Sequence, residues 1–505
     1  MRTRQYRARI VAGALAMASA LVAGACTAGS AQPQAQGAQP DIGGGGEQQA
    51  PSEPPQPLST DNQRASAGVV AEGGADAVYN YGPTVMMDGG RTRMWWCSQY
   101  GSAPPPGDDI LYAEADTPDG PFAGPGGGIP KAVFSGNPGR FDAVHTCDPS
   151  VIRVDGTYYM YYTGAAGDHA LGNAIGLATS TDGQNWTRPS EEPVIKPAHD
   201  EHRDNTYGAG QPAAVYLDGW FYVMFTDTTG RAAGWNGAGQ FLLRAKDPTF
   251  SAGVESLSPT GFSRVGDTGN VRTNSLVDAF SADLMWVDAL AAFAIAHQTE
   301  HGTTITFWNR DFTATPYEPV LIPDEWQEGP GLVRQPDGHA PISETEPCAR
   351  VPLDVIHATV IGKAKAPTGL RHFGLDVHGV DACSNPEQAL AVLDGFAMPS
   401  PVRTMDVVAG GKIVRVDRRS VAEELAVHVL DERLPVLDEL PVMARLEPGA
   451  RAVGAPGLGT AFVLDDRLWP VTSTEAAARN DSEVEPVSRA DWEAYPAGPT
   501  LGVRP

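Results

Sequence analysis

Lysine is scarce in this chain, six residues against thirty arginines, and no Lys/Arg cluster interrupts a formal net charge of -25 with a pI near 4.7. Phosphate backbones would be repelled, so nucleic acid is excluded as a partner. Cysteine numbers five, with no Cys-x-x-Cys pair, and a redox motif or zinc site therefore lacks its spacing. No Gly-x-Ser-x-Gly elbow is present, and no phosphate-cradling Gly-rich loop runs from a strand into a helix; Gly124-Pro-Gly-Gly-Gly reads as a connector. The apolar stretch from Ile10 to Ala23 falls short of the roughly 20 residues that a membrane-spanning helix needs.

What that stretch does have is a basic head, Arg2, Arg4, Arg7 and Arg9, and a run of small residues, Ala23-Gly24-Ala25, before Cys26. This resembles a bacterial lipoprotein signal, residues 1–26. The resemblance implies export, lipidation of Cys26 and anchoring to the outer face of the cytoplasmic membrane or the cell surface. An ordinary cleaved signal with an incidental cysteine is the alternative. Residues 27–65 are rich in Gly, Pro, Gln, Ala and Ser, with almost nothing to bury, and read as a disordered tether.

The remainder is globular in composition, the whole chain being 42% hydrophobic. Beyond Cys26 an even number of cysteines remains, Cys97, Cys147, Cys348 and Cys383, which in an exported protein points to disulfides. Proximity in sequence favours Cys97 with Cys147 and Cys348 with Cys383, among three possible connectivities.

Three segments share one layout: Tyr81-Gly-Pro-Thr-Val-Met-Met-Asp-Gly, Asp148-Pro-Ser-Val-Ile-Arg-Val-Asp-Gly and Gln211-Pro-Ala-Ala-Val-Tyr-Leu-Asp-Gly. Each runs through a tight Asp-Gly turn into an aromatic-rich strand, such as Tyr158-Tyr-Met-Tyr-Tyr-Thr or Phe221-Tyr-Val-Met-Phe-Thr. Repetition at about 65 residues predicts propeller blades, all-β, with a fourth near Ala282–Val287 and a fifth from Gly331. The expected domain is a five-bladed β-propeller over 66–394, closed by residues 66 to 79 as the latching strand. A small α/β accessory region with two faint repeats follows over 395–505. There, Val414 to Leu425 reads as a strand running into a helix, and Lys412-Ile-Val parallels Arg467-Leu-Trp-Pro-Val.

The string His145-Thr-Cys-Asp-Pro-Ser-Val-Ile, with Asp-Gly-Thr-Tyr-Tyr-Met-Tyr-Tyr-Thr-Gly and Asn173-Ala-Ile-Gly-Leu-Ala-Thr-Ser-Thr-Asp-Gly-Gln-Asn-Trp, resembles the five-bladed glycoside hydrolases of family 43 and its relatives in families 32 and 68. The resemblance spans roughly residues 78 to 385. It implies carbohydrate as the partner, oligo- or polysaccharide containing pentose or fructose. It also implies three acids at the pore mouth on the inner strands of blades one to three, since glycoside cleavage needs one carboxyl to protonate the leaving oxygen and another to activate water or attack.

Of those three slots only Asp148 keeps its acid. Blade one carries Tyr81-Gly82 and blade three Gly210-Gln211. Asp227, ending the second strand of blade three, and Glu328, in a Glu-Gly-Pro setting, are the catalytic candidates that could complete the set, with Asp108-Asp109, opening the outer strand of blade one, and Asp142, on the loop before His145, as further acids. His145 could bind sugar hydroxyls or a central cation, with a structural hydrogen bond as the alternative, and Gln211 is a further substrate-binding candidate. Tyr81, Trp96 and Tyr207, with Tyr79, Trp95 and Trp235, could stack on sugar faces. No cofactor or metal is expected; calcium occurs at the centre in relatives, but no Asp/Asn run has Ca-loop spacing. Two classes stay open: a surface-anchored glycoside hydrolase, and a non-catalytic carbohydrate- or protein-binding propeller that lost the acid pair.

Overall fold

The computed structural model describes residues 54–73, 77–100, 107–167, 172–324, 328–359 and 369–502. The signal with Cys26 and the tether as far as residue 53 lie outside the described residues, and of Glu328 only the main chain is described.

After β1 (Ser59–Ala65), strands follow in five successive groups. The first is β2 (Ala77–Asp88), β3 (Arg91–Tyr100), β4 (Asp109–Ala115) and β5 (Lys131–Phe134). The second is β6 (His145–Val154), β7 (Thr157–Ala165) and β8 (Ala174–Ser180). The third is β9 (Ala209–Leu217), β10 (Trp220–Asp227), β11 (Gln240–Ala245), β12 (Glu255–Ser258) and β13 (Gly261–Arg264). The fourth is β14 (Ala282–Val287), β15 (Ala292–Thr299), β16 (Gly302–Trp308) and β17 (Val320–Ile322). The fifth is β18 (Glu328–Arg334), β19 (Arg350–Ala358) and β20 (Leu370–His378), with β1 paired to β20 at its outer edge. Each group is an antiparallel sheet, and β18 also pairs in parallel with β2 at Val333–Val85 and Arg334–Met86.

The hairpins form where Asp-Gly and Gly-Gly supply the positive φ of a tight turn. Asp155 and Gly156 stand at +49° and +79°, Asp218 and Gly219 at +50° and +80°, and Gly89 and Gly90 at +60° and +75°.

Side chains that alternate along an inner strand enter two different cores, because successive residues point to opposite faces. Val151 of β6 packs with Trp95, Tyr112, Tyr158 and Met160 between the first and second sheets, whereas Ile152 packs with Val223 and Phe225 between the second and third. Ala213, Leu284 and Phe293 fill the third–fourth layer, Ile305, Phe307, Leu353 and Val355 the fourth–fifth, and Val85, Met94, Val333 and Ile356 the fifth–first. Burial on both faces explains why these strands read as continuous apolar runs.

The strand paired to β20 at its outer edge is β1, Ser59–Ala65, which falls within the expected tether; of residues 66 to 79, expected as a latching strand, Ser66, Val70 and Ala71 add main-chain bonds to β20 and Ala77 opens β2. The β1 sequence, Ser-Thr-Asp-Asn-Gln-Arg-Ala, has no apolar side because an edge strand facing water needs none. Main-chain pairing with β20 and ion pairs hold it instead. Arg64 reaches Asp354 and Asp376, each at 2.7 Å, and Arg350 bridges Asp61 at 2.5 Å and Asp376 at 3.0 Å.

Beyond β20, α1 (Pro386–Val392) leads into β21 (Phe396–Pro399), β22 (Met405–Ala409), β23 (Lys412–Val416), α2 (Arg419–Leu425), β24 (His428–Val429) and β25 (Val442–Leu446). These strands form one sheet in the order β24-β21-β22-β23-β25. Then β26 (Ala452–Ala455), β27 (Gly459–Leu464), β28 (Arg467–Val471), α3 (Glu475–Arg479), β29 (Val484–Pro486) and α4 (Arg489–Glu493) follow the same succession in a second sheet, β28-β27-β26-β29. Val421, Ala422 and Leu425 of α2 share a core with Phe462, Trp469, Ala476 and Ala477. Phe396, Met398, Val408 and Ile413 join the core of the fourth and fifth sheets.

Candidate active site where the inner strands converge

Four of the five inner strands carry the same local device, a residue of positive φ followed by proline. Gly82 precedes Pro83 at +55°, Asp148 precedes Pro149 at +45°, Gln211 precedes Pro212 at +52° and Gly329 precedes Pro330 at +50°. The proline disfavours the helical region for the residue before it. A register shift in each pairing marks the kink, between Tyr81 and Thr84, Cys147 and Ser150, and Glu328 and Gly331, with the β9–β10 shift falling opposite the same stretch of β9. Left-handed backbone costs a non-glycine residue about 1–2 kcal/mol, less for Asp than for most. In return, the kink turns these residues toward a common pocket, lined by Gly82, Asp148, Gln211, Ser281, Asp283 and Gly329 with their neighbours.

Asp148 is half-buried in that pocket. Burial pushes its carboxyl up to about 6, with the nearby Asp108 adding to the rise, while hydrogen bonds from Thr163 and Tyr207 oppose it. The Tyr207 hydroxyl lies 3.3 Å from Asp148 Oδ2. Thr163 also accepts the Gln211 amide at 2.8 Å, and Gln211 Oε1 accepts from Ser281 Oγ at 3.1 Å. A methyl group at Gly82 would stand 2.9 Å from Asp148 Oδ1, so glycine leaves the space that the carboxyl uses.

The disulfide Cys97–Cys147 (S–S 2.08 Å) lies close to two carboxylates, and Cys348–Cys383 (2.02 Å) is the second bridge. Cys147 Sγ is 3.4 Å from Asp148 Oδ1, and both sulfurs lie within 4.8 Å of an Asp108 oxygen. Asp108 and Asp148 are thereby within about 8 Å of each other. His145 Nδ1 lies 2.9 Å from Asp108 Oδ2, and this hydrogen bond raises the imidazole above its ordinary pKa despite its burial. Tyr81 turns its hydroxyl to Cys147 Sγ at 3.1 Å, beside Gly82.

Two residues that the sequence reading did not single out are Asp283, which lines the pocket, and Arg334, which bonds the pocket residue Thr84. Arg334, 1% exposed, donates to the carbonyls of Ala214 (3.1 Å) and Leu284 (2.8 Å) and to Thr84 Oγ1 (2.8 Å), tying its own strand β18 to β9, β14 and β2. It also faces Asp283 at 3.2 Å. The Asp283 carboxylate accepts the amides of Leu284 (2.8 Å) and Leu332 (2.7 Å), and burial raises its pKa. Asp283 and the carbonyls of Ala214 and Leu284 are thus already engaged by a guanidinium, and this donor set does not fit a calcium ion. Nor do Cys97, Asp108 and Cys147 form a metal site, since both sulfurs are in the disulfide and offer no thiolate.

Asp227 and Trp96 are placed elsewhere. Asp227 is fully buried, 3.1 Å from Arg272 Nε, and also accepts the amides of Ala198 and Thr229 and the Thr229 hydroxyl. It holds a loop together. Trp96 is fully buried because alternation sends Trp95 into the first–second layer and Trp96 into the fifth–first layer, where its Nε1 donates to Asn80 at 2.8 Å. It therefore has no face for a sugar. Glu328 opens β18 beside the pocket residues Gly329 and Pro330, and its side chain lies outside the described atoms.

No protein-family model matches the chain, and no curated protein matches it significantly. Among solved structures it is similar to Zg3597, a family 117 glycoside hydrolase from Zobellia galactanivorans, at 11% identity and a TM-score of 0.43, covering 63% of this chain and 91% of that one. It is also similar to the catalytic domain of the Coprinopsis cinerea GH62 α-L-arabinofuranosidase, at 11% identity and a TM-score of 0.41, covering 63% and 97%.

Proposed function

We propose that the five sheets are the blades of a five-bladed β-propeller, and that the chain is a surface-anchored glycoside hydrolase working on a pentose- or fructose-containing glycan at the central pocket. Packed layers between every successive pair of sheets, including the fifth and first, support the ring. The observation that carries the activity is the pair Asp148 and Asp108. One carboxyl has its pKa near 6 and the other lies within about 8 Å across a disulfide.

In this reading the protonated Asp148 gives its proton to the glycosidic oxygen as the bond to the anomeric carbon breaks. Asp108, backed by His145, serves as the second carboxylate, either taking a proton from the attacking water or bonding to the anomeric carbon. Tyr207, Gln211 and Ser281 orient the ring hydroxyls. Export and attachment through Cys26 would place the site outside the membrane, at the end of the tether.

A second reading, a glycan-binding propeller without turnover, is favoured by the slots on either side of Asp148. Gly82 and Gln211 stand where the resemblance puts acids, and an aspartate at 82 would collide with Asp148 Oδ1. Incubating the protein with arabinan, xylan and fructan, and measuring both released sugar and binding, separates the two. Release that is lost in Asp148→Asn and Asp108→Asn supports hydrolysis; binding without release supports the second reading.

A further inference from the structure

Trp235 is 80% exposed, an unusual position for the largest apolar side chain, and the segment that carries it is tightly held. Arg203 Nη1 donates to the carbonyls of Thr228 and Gly230, both at 2.9 Å, and Asn205 Nδ2 donates to that of Asn236 at 3.0 Å. Gly234 N bonds Ala238 O at 2.6 Å across the turn. An indole displayed on a loop fixed by this many bonds loses little freedom when something stacks on it.

The loop stands at the pocket end of its sheet. Asp227, the last residue before it, pairs with Ala209, and Thr226 pairs with Gly210, next to the pocket residue Gln211. On its far side the loop rests on the strand entering the fourth sheet: Gly239 N donates to Ala279 O at 3.1 Å, and Gln240 Nε2 to Ala279 O and Phe280 O, both at 3.0 Å. Phe280 is itself 36% exposed and directly precedes Ser281 and Ala282, which line the pocket. Two exposed aromatic residues thus stand on segments bonded to each other, one of them next to the pocket residues Ser281 and Ala282.

We propose that Phe280 and Trp235 form a stacking ledge for the sugar rings next to the one in the pocket, so that the glycan chain leaves over the rim between the third and fourth sheets. This rests on the proposal that the pocket takes a sugar. Sugar ring faces carry C–H groups that dock on aromatic faces, and the amide and hydroxyl groups of Asn205 and Ser281 are at hand for the ring edges. The site would accordingly distinguish an oligosaccharide from a monosaccharide by chain length, with most of that difference residing in Trp235.

The test is calorimetric titration of the whole protein with arabino-, xylo- and fructo-oligosaccharides of one to six units. For the wild type, affinity should rise with length; in Trp235→Ala the rise should flatten, leaving trisaccharides and longer about tenfold weaker, with monosaccharide binding and melting temperature unchanged. Trp235→Phe should recover most of the gain. A Trp235→Ala variant whose affinity climbs with length as the wild type's does would overturn the ledge alone. No binding to any probe at any length would overturn the sugar pocket and the ledge together, whereas length-dependent binding without sugar release leaves the ledge standing and removes only the hydrolysis.

Discussion

Arg334 and Asp283 face each other at 3.2 Å where four inner strands meet, both almost entirely removed from water. Arg334→Met would leave the Asp283 carboxylate without its cation and the carbonyls of Ala214 and Leu284 without their donor. Breaking such a pair from one side typically costs about 3–5 kcal/mol. Chemical denaturation should show a loss of that order for Arg334→Met, and a smaller one when Asp283→Asn is added, because the stranded charge is then gone.

Asp148 sets a pH dependence of opposite sign to most carboxylates. Its folded pKa, about 6, lies above the unfolded value near 3.8, so between these pH values the native state binds more protons. Stability is therefore favoured at low pH and declines as pH rises through 6. Asp148→Asn removes this penalty and should be more stable than the wild type at pH 7, by roughly 2–3 kcal/mol, with the difference vanishing near pH 4. Thermal unfolding at the two pH values measures it.

Strand β1 should respond to salt and to pH. Its ties are ion pairs at the rim, Arg64 with Asp354 and Asp376, and Asp354 is in turn bound by His372 Nε2 at 2.7 Å, with Asp119 on the other ring nitrogen. The pKa of His372 is raised by Asp354 and Asp119 against a desolvation that alone would lower it. This contribution is complete below the unfolded value near 6.5 and is lost as pH climbs through the higher folded value. Hydrogen exchange of residues 59–65 should quicken between pH 6.5 and alkaline pH, with added salt, and most of all in Arg64→Ala, while β9 and β10 stay protected.

The Cys97–Cys147 bridge closes a separation of 50 residues, and the chain-entropy relation gives about 4 kcal/mol for a loop of that size. Replacing both cysteines with serine should lower stability by an amount of that order. It should also alter the pH dependence of sugar binding, because a sulfur close to both Asp108 and Asp148 is removed.

The inner strands and their hairpins were legible because each apolar residue has a core to enter and each Asp-Gly or Gly-Gly has a tight turn to make. Asp148 was singled out through the resemblance, as the one of three slots that keeps an acid before its proline. The ion-paired strand β1 was not, since Ser59–Ala65 has the composition of a tether and is held by its backbone and by partners some 300 residues away. Trp96 was misplaced because an aromatic side chain in a strand shows its direction only when the register is known. Asp283 and Arg334 escaped because β14 lacks the kink before proline that marks the other inner strands, and an arginine filling the centre looks in sequence like any polar residue at a strand end.

The central claim is that the Asp148 carboxyl supplies the proton for glycoside cleavage, and the pH profile of kcat/KM for sugar release tests it most directly. On whichever of arabinan, xylan or fructan the wild type cleaves, the rate should fall as pH rises above about 6, where Asp148 loses its proton, and Asp148→Asn should lose at least a hundredfold at every pH while still binding the glycan. A wild-type profile flat from pH 5 to 8, or an Asp148→Asn variant that releases sugar at the wild-type rate, would contradict it.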